Sequence, residues 1–167
     1  MLLVIPTYTL ATGTPVRGYA GWVWLLPRLF AQGGIAEEVL FRGYLFRHIR
    51  EGRPFGRAAW VASIPFVAVH LLLFFTLPWP VAMASLLLSA LLSFPLAYLF
   101  ELGGNTVWAP ALLHFVVQGA VKIAIVGNGG PAFPLLWMAA SATLPFLVFL
   151  IPQTPSRKTD ITVSSQP

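Results

Sequence analysis

Apolar residues run through this chain in long stretches, broken by short clusters of proline, glycine and asparagine. Residues 57–77, 81–101, 105–126 and 132–152 each reach the roughly 20 apolar residues that a membrane-spanning helix needs. The breaks between them read PWP, GGN and GNGGP, compositions that favour turns over helix. A fifth stretch, 28–48, has the length but differs in kind. It carries Gly33 and Gly34, a pair expected to weaken or break it, and then the run IAEEVLFRGYLF over residues 35–46. Upstream, GYAGWVWLLPRLF mixes tryptophan, tyrosine and arginine as segments at a membrane–water interface do. The pattern predicts an all-α fold, a polytopic transmembrane bundle of about five spanning helices around a polar cavity near the midplane. Residues 1–27 form an apolar, interfacial N-terminal segment and 28–152 the transmembrane domain. Residues 153–167 form a polar tail expected to be disordered.

Composition supports the membrane reading. Of 167 residues, 57% are hydrophobic and 9% charged, against roughly 25% charged in soluble domains. There is no cysteine, which excludes disulfides, a thiol nucleophile and thiolate metal sites. The net charge of +5 is explained by topology rather than by nucleic acid, which is not an expected partner. Arg47, Arg50, Arg53 and Arg57 share one short loop, and Arg157 and Lys158 follow the last apolar stretch. Excess arginine and lysine marks cytoplasmic loops. Threading the helices with the arginine loop inside also places the C-terminus in the cytoplasm, although Arg17 and Arg28 then fall outside. The expected location is the bilayer of a bacterial plasma membrane. The N-terminal MLLVIPTYTLATGTP has no basic residue and an early Pro6, so it reads as the tail of an upstream element rather than a signal peptide.

Three charges in the first spanning stretch remain unexplained by topology. An ionisable group near the bilayer centre costs a few kcal/mol and marks a candidate functional site. Glu37 lies ten residues before Arg47, about 15 Å along a helix. His70 is thirteen residues past Arg57, roughly 20 Å deep, and His114 nine past Asn105, roughly 14 Å. Three helices thus bring a carboxylate and two imidazoles to similar depth. Glu38 and Arg42 are four apart and share a helix face, where they can pair. Glu37 is rotated by about 100° from Glu38 and is expected to face a different neighbour. Phe66 sits one turn before His70, and Gln118 one turn after His114. Each feature also has a purely structural reading: an ion pair for Glu38 and Arg42, an interhelical hydrogen bond for either histidine. Lys122 is expected to snorkel from the outer helix end. Glu101, His48 and Glu51 are expected to be solvated at the inner boundary, and Pro65, Pro95 and Pro110 to kink their helices.

These residues resemble the CAAX protease and bacteriocin-processing family of intramembrane proteases, which includes the type II CAAX prenyl endopeptidases. Glu37, Glu38 and Arg42 match its EExxxR motif, Phe66 and His70 its FxxxH motif, and His114 its third motif. That motif normally ends in asparagine four residues on, where this chain has Gln118. The motif core spans residues 35–118. The resemblance implies a helical bundle with more spans than are visible here, so that upstream helices would be missing or divergent. It also implies a glutamate-type intramembrane endopeptidase whose partner is a membrane-associated peptide or protein. Glu37 would act as general base on a water held by His70, and His114, possibly with Gln118, would bind the oxyanion. Glu38, Arg42 and Phe66 would support the site. No cofactor is implied. The alternative with metal is a zinc site built from one glutamate and two histidines. Two other classes stay open, a non-catalytic membrane immunity or scaffold protein and a proton-coupled transporter.

Overall fold

A computed structural model describes residues 1–18, 20–126 and 132–152, and these are predominantly helical. A short helix α1 (Val4–Thr12) and a strand β1 (Val16–Gly18) precede the charged helix, α2. Helix α2 is continuous over residues 22–50, with α-helical ends at Trp22–Leu29 and Arg47–Arg50. Its centre is wound more loosely: Phe30–Ala36 and Val39–Phe46 are π-helix, and Glu37 and Glu38 lie between them. Helix α3 (Phe55–His70) tightens into a 3₁₀ stretch, Leu71–Phe75. Helix α4 (Trp79–Leu102) is followed by α5 (Trp108–Ile123), a strand β2 (Ala124–Val126), and α6 (Ala132–Thr143), extended by the 3₁₀ stretch Leu144–Leu150.

Local chemistry sets these boundaries. Pro54 and Pro78, both extended, precede the first residues of α3 and α4, where a missing N–H is harmless. The GGN cluster ends α4: Gly104 and Asn105 turn through left-handed conformations, and the Asn105 N–H donates to the Phe100 carbonyl at 2.9 Å. Pro65 and Pro95 lie inside helices that continue through them, whereas Pro110 sits in the first turn of α5, where no kink is required.

Among the described residues, three helical stretches are long and apolar enough to cross a membrane: Phe55–Phe75, Trp79–Leu102 and Ala132–Leu150. Only 28%, 39% and 28% of their most apolar windows are buried inside the protein, so most of that apolar surface faces outward, as lipid contact requires. Trp60, Ile64, Leu72, Phe75, Leu87 and Leu91 are among the large side chains on that outer surface. Helix α5, at 16 residues, is shorter. The architecture is a helical membrane bundle.

Three apolar clusters hold it together. Phe46, Ala58, Ala59, Ala62, Ala97 and Phe100 pack where α2, α3 and α4 meet near the arginine loop, the alanines allowing close approach of the backbones. Leu92 and Leu96 of α4 meet Val117 of α5. Tyr8, Ala120, Phe133 and Trp137 join α1, α5 and α6, and the Trp137 indole N–H donates to the Val117 carbonyl at 2.9 Å.

Four expectations from sequence are corrected. Gly33 and Gly34 do not break α2; the helix widens into a π-turn there instead. The stretch 105–126 is not helical throughout, because Ala124–Val126 leaves the helix and pairs antiparallel with Val16–Gly18. Glu101 is not simply solvated: its Oε1 accepts from Arg50 Nε at 2.5 Å, tying the end of α4 to the end of α2. Pro110, expected inside a helix that it would kink, sits instead in the first turn of α5, where its missing N–H costs no hydrogen bond. The GNGGP break at 127–131 apart from neighbouring residues, and the tail 153–167, lie outside the described residues.

Candidate functional site

The site grows out of a close packing between α2 and α5. Small residues on α2 permit it: a Cβ on Gly34 would come within 3.2 Å of the Ala111 carbonyl oxygen, and one on Gly33 within 1.4 Å of Gln118 Nε2. Phe30 and Phe115 stack edge to face beside the glycines, 5.4 Å between centroids. One turn further along α2, this approach delivers Glu37 and Glu38 to His114.

Both carboxylates meet the same imidazole, from two sides. Glu38 Oε1 is 2.7 Å from His114 Nδ1, a hydrogen bond between fully buried groups. Glu37 Oε2 is 3.8 Å from His114 Nε2, beyond direct hydrogen-bond reach but close enough to interact through charge. Glu37 thus faces a neighbour other than Arg42, although Glu38 reaches the same imidazole. The rotation of about 100° between successive residues lets the two carboxylates straddle one ring placed between them. Glu38 also accepts from Arg42 Nη1 at 3.0 Å, the expected pair across one turn of α2.

Phe66 forms the floor of the cluster. Its ring is 1% exposed, and the Arg42 guanidinium lies over its face at 4.0 Å from the centroid. Such a cation–π contact is favourable by up to about 2 kcal/mol when desolvated. The rings of Phe41, His70 and His114 meet Phe66 edge to face at 5.0, 4.9 and 5.8 Å. The FxxxH spacing thus gives α3 an aromatic platform shared by both histidines, with His70 one turn beyond it. The His70 Nδ1–H donates to the Phe66 carbonyl at 2.8 Å. A carbonyl can only accept, so this proton is on Nδ1, and Nε2 of the neutral ring carries the lone pair. At His114 the Nδ1 faces Glu38 Oε1, an atom that also accepts from Arg42, so His114 carries a proton on Nδ1 and donates.

Gln118 occupies the next turn of α5. Its Oε1 accepts from Lys122 Nζ at 3.0 Å, and its Nε2 is buried against Gly33 with no acceptor among the described residues. The structure therefore brings Glu37, Glu38, Arg42, Phe66, His70 and His114 into one contiguous cluster, while Gln118 lies one level away with its oxygen engaged by Lys122. Gly33→Ala is expected to push the Gln118 amide aside and to destabilise the protein by about 1–3 kcal/mol through overpacking. Thermal unfolding in detergent measures this; an unchanged midpoint would show that the glutamine moves freely.

Glu37 Oε2 is buried and no hydrogen-bond donor among the described residues reaches it. Its side chain as a whole is 28% exposed, so this carboxylate borders open space while its neighbour Glu38 does not. Behind Arg42, a cleft with room for about one water is lined by Phe41, Phe46, Ala59, Ala62, Ser63, Ser93 and Ala97. Among the described residues, no three of His, Asp and Glu are grouped so as to hold a metal ion.

The role of the glycine pair and the second use of Glu38 were not anticipated from sequence. An i, i+4 rule finds Glu38 with Arg42 because both lie on one helix; it carries no information about a partner on α5. For Gly33 and Gly34, the available signal was their position one turn before the glutamates, where small residues admit a neighbouring helix.

A family model described as type II CAAX prenyl endopeptidase Rce1-like matches residues 19–120, more than half of the chain. No curated protein and no solved structure matches.

Proposed function

Because the chain belongs to the Rce1-like family of type II CAAX prenyl endopeptidases, we propose that it cleaves a peptide bond in a membrane-associated protein using water activated by Glu37. The family implies a membrane-embedded protease acting on a membrane-associated protein. One observation supports the finer reading most: Glu37 presents a donor-free oxygen 3.8 Å from His114 Nε2, at the edge of an otherwise apolar and aromatic enclosure.

The chemistry follows from the groups present. A water beside Glu37 Oε2 gives up a proton to the carboxylate as its oxygen attacks the substrate carbonyl carbon. The Nε2 lone pair of His70 accepts a second hydrogen bond from that water and fixes its orientation. The carbonyl oxygen becomes an oxyanion, and His114, protonated at both ring nitrogens, donates to it through Nε2–H. Glu38 beneath the ring balances the imidazolium, and Arg42 balances Glu38. Collapse of the tetrahedral species breaks the C–N bond, and the proton held by Glu37 passes to the leaving amine. General-base assistance contributes about 10²–10⁴-fold and one oxyanion donor about 10²–10³-fold. No step uses a metal.

Gln118 enters as a second oxyanion donor only if its amide turns from Gly33 and Lys122 toward the His114 level. Gln118→Asn withdraws the amide from both partners and is expected to raise turnover about 10-fold by supplying that donor. The assay is cleavage of membrane-tethered peptides, with and without a C-terminal prenyl group, by purified protein in proteoliposomes. Cleavage confined to tethered peptides supports the proposal. A slower Gln118→Asn would show that the cavity is fitted to glutamine. Tight binding of a peptide with no cleavage by any variant would favour the scaffold reading. Orientation is proposed from charge: the arginine loop and the C-terminus lie in the cytoplasm.

A further inference from the structure

Glu38 has two partners, and they meet on a single atom. Arg42 Nη1 at 3.0 Å and His114 Nδ1 at 2.7 Å both converge on Glu38 Oε1, while Oε2 is buried with no donor among the described residues. A carboxylate present only to neutralise Arg42 has no need of an imidazole on another helix, and a guanidinium can engage both oxygens of a carboxylate at once. Here the carboxylate is turned so that one oxygen serves both. Its side chain is fully buried, and Arg42 is itself pinned over the Phe66 ring. The orientation of the His114 ring is thereby fixed through Glu38 by a chain that starts at Phe66.

We propose that Glu38 is a positioning residue for His114, holding the proton on Nδ1 so that Nε2 is the atom presented to Glu37 and to substrate. This rests on the proposed peptidase reading for its effect on turnover, though not for its effect on the ring. A carboxylate oxygen at Nδ1 that already accepts from Arg42 excludes the tautomer with Nδ1 bare, and a carboxylate in that place favours a ring that also carries Nε2–H, able to donate to an oxyanion. Rotation of the imidazole about its Cβ–Cγ bond would break the 2.7 Å contact, so the position of Nε2 is fixed as well. Arg42 acts one step further back, by holding Glu38 in place.

The test separates positioning from charge balance. Glu38→Gln combined with Arg42→Met removes both buried charges together, so neither is left unpaired. Glu38→Asp keeps the charge beside Arg42 but shortens the reach toward α5. The readouts are kcat and KM on tethered peptides and the ¹⁵N spectrum of histidine-labelled protein, with the His114 signals assigned by their loss in His114→Gln. The expected result is a folded protein whose kcat falls about 10²-fold in the double variant and at least about 10-fold in Glu38→Asp, with KM little changed. In both, the His114 signals lose the fixed Nδ1–H and report a mixture of protonation forms. Wild-type kcat together with an unchanged His114 spectrum in either variant would overturn the proposal. If the double variant does not fold, Glu38→Asp decides alone. If the wild type cleaves no peptide, the peptidase reading fails, and the spectrum still decides whether Glu38 sets the tautomer.

Discussion

Glu37→Gln is expected to lower peptide-bond hydrolysis by about 10²–10⁴-fold while leaving the fold intact. Glutamine has nearly the shape of glutamate but cannot take a proton from water at neutral pH. Among the described residues the ionic contact of Glu37 is with His114 at 3.8 Å, and no hydrogen-bond donor reaches its Oε2. Removing its charge therefore leaves no buried cation newly unpaired, since Arg42 keeps Glu38. Glu38 offers the contrast. It is fully enclosed and shared by Arg42 and His114, so its loss would disturb both. Adjacent in sequence and alike in chemistry, the two glutamates are expected to separate in assay, one affecting turnover without stability and the other affecting both. Comparing kcat and the melting midpoint of Glu37→Gln with wild type checks this; a large loss of stability would show that Glu37 belongs to the structural network.

Arg42→Ala is expected to destabilise the protein by about 3–5 kcal/mol, because it leaves the Glu38 carboxylate buried with its guanidinium partner gone. Arg42 also covers the Phe66 ring and borders the small cleft lined by Ser63 and Ser93. Truncation to alanine would strip one face of Phe66 and enlarge that cleft, adding to the cost of the lost pair. Against a typical domain stability of about 5–15 kcal/mol, such a change lowers the folded fraction, and the yield from membranes should fall with activity. Arg42→Met, with similar volume but no charge, tests which loss dominates. If it is as unstable as alanine, the ion pair dominates; if it is close to wild type, packing does. Normal yield and melting for Arg42→Ala would show that Glu38 finds another counter-charge.

How much of this was legible in the sequence depended on whether the information was local. Helix number and approximate position followed from apolar length, since Phe55–Phe75, Trp79–Leu102 and Ala132–Leu150 fall within a few residues of the predicted stretches. The pairing of Glu38 with Arg42 followed from helical geometry on one element. The common depth of Glu37, His70 and His114 was an estimate from the rise per residue; in the structure both histidine rings meet Phe66, and Glu37 Oε2 lies 3.8 Å from His114 Nε2. The π-winding of α2 did not follow, because apolar length does not distinguish an α-helix from a π-helix. Nor did the antiparallel pairing of Val16–Gly18 with Ala124–Val126, which joins segments more than a hundred residues apart. Partners chosen across helices were hidden for the same reason. Glu38 with His114, Gln118 with Gly33 and Arg50 with Glu101 each depend on which helix faces which.

The central claim is that Glu37 activates water for peptide hydrolysis within the membrane. The most direct measurement presents one tethered peptide substrate, in proteoliposomes, to wild-type protein and to Glu37→Gln side by side, following binding by fluorescence and products by mass spectrometry. The account predicts equal binding by both proteins, with two hydrolytic fragments from the wild type and only uncut peptide from Glu37→Gln. Fragments formed at the wild-type rate by Glu37→Gln would contradict it.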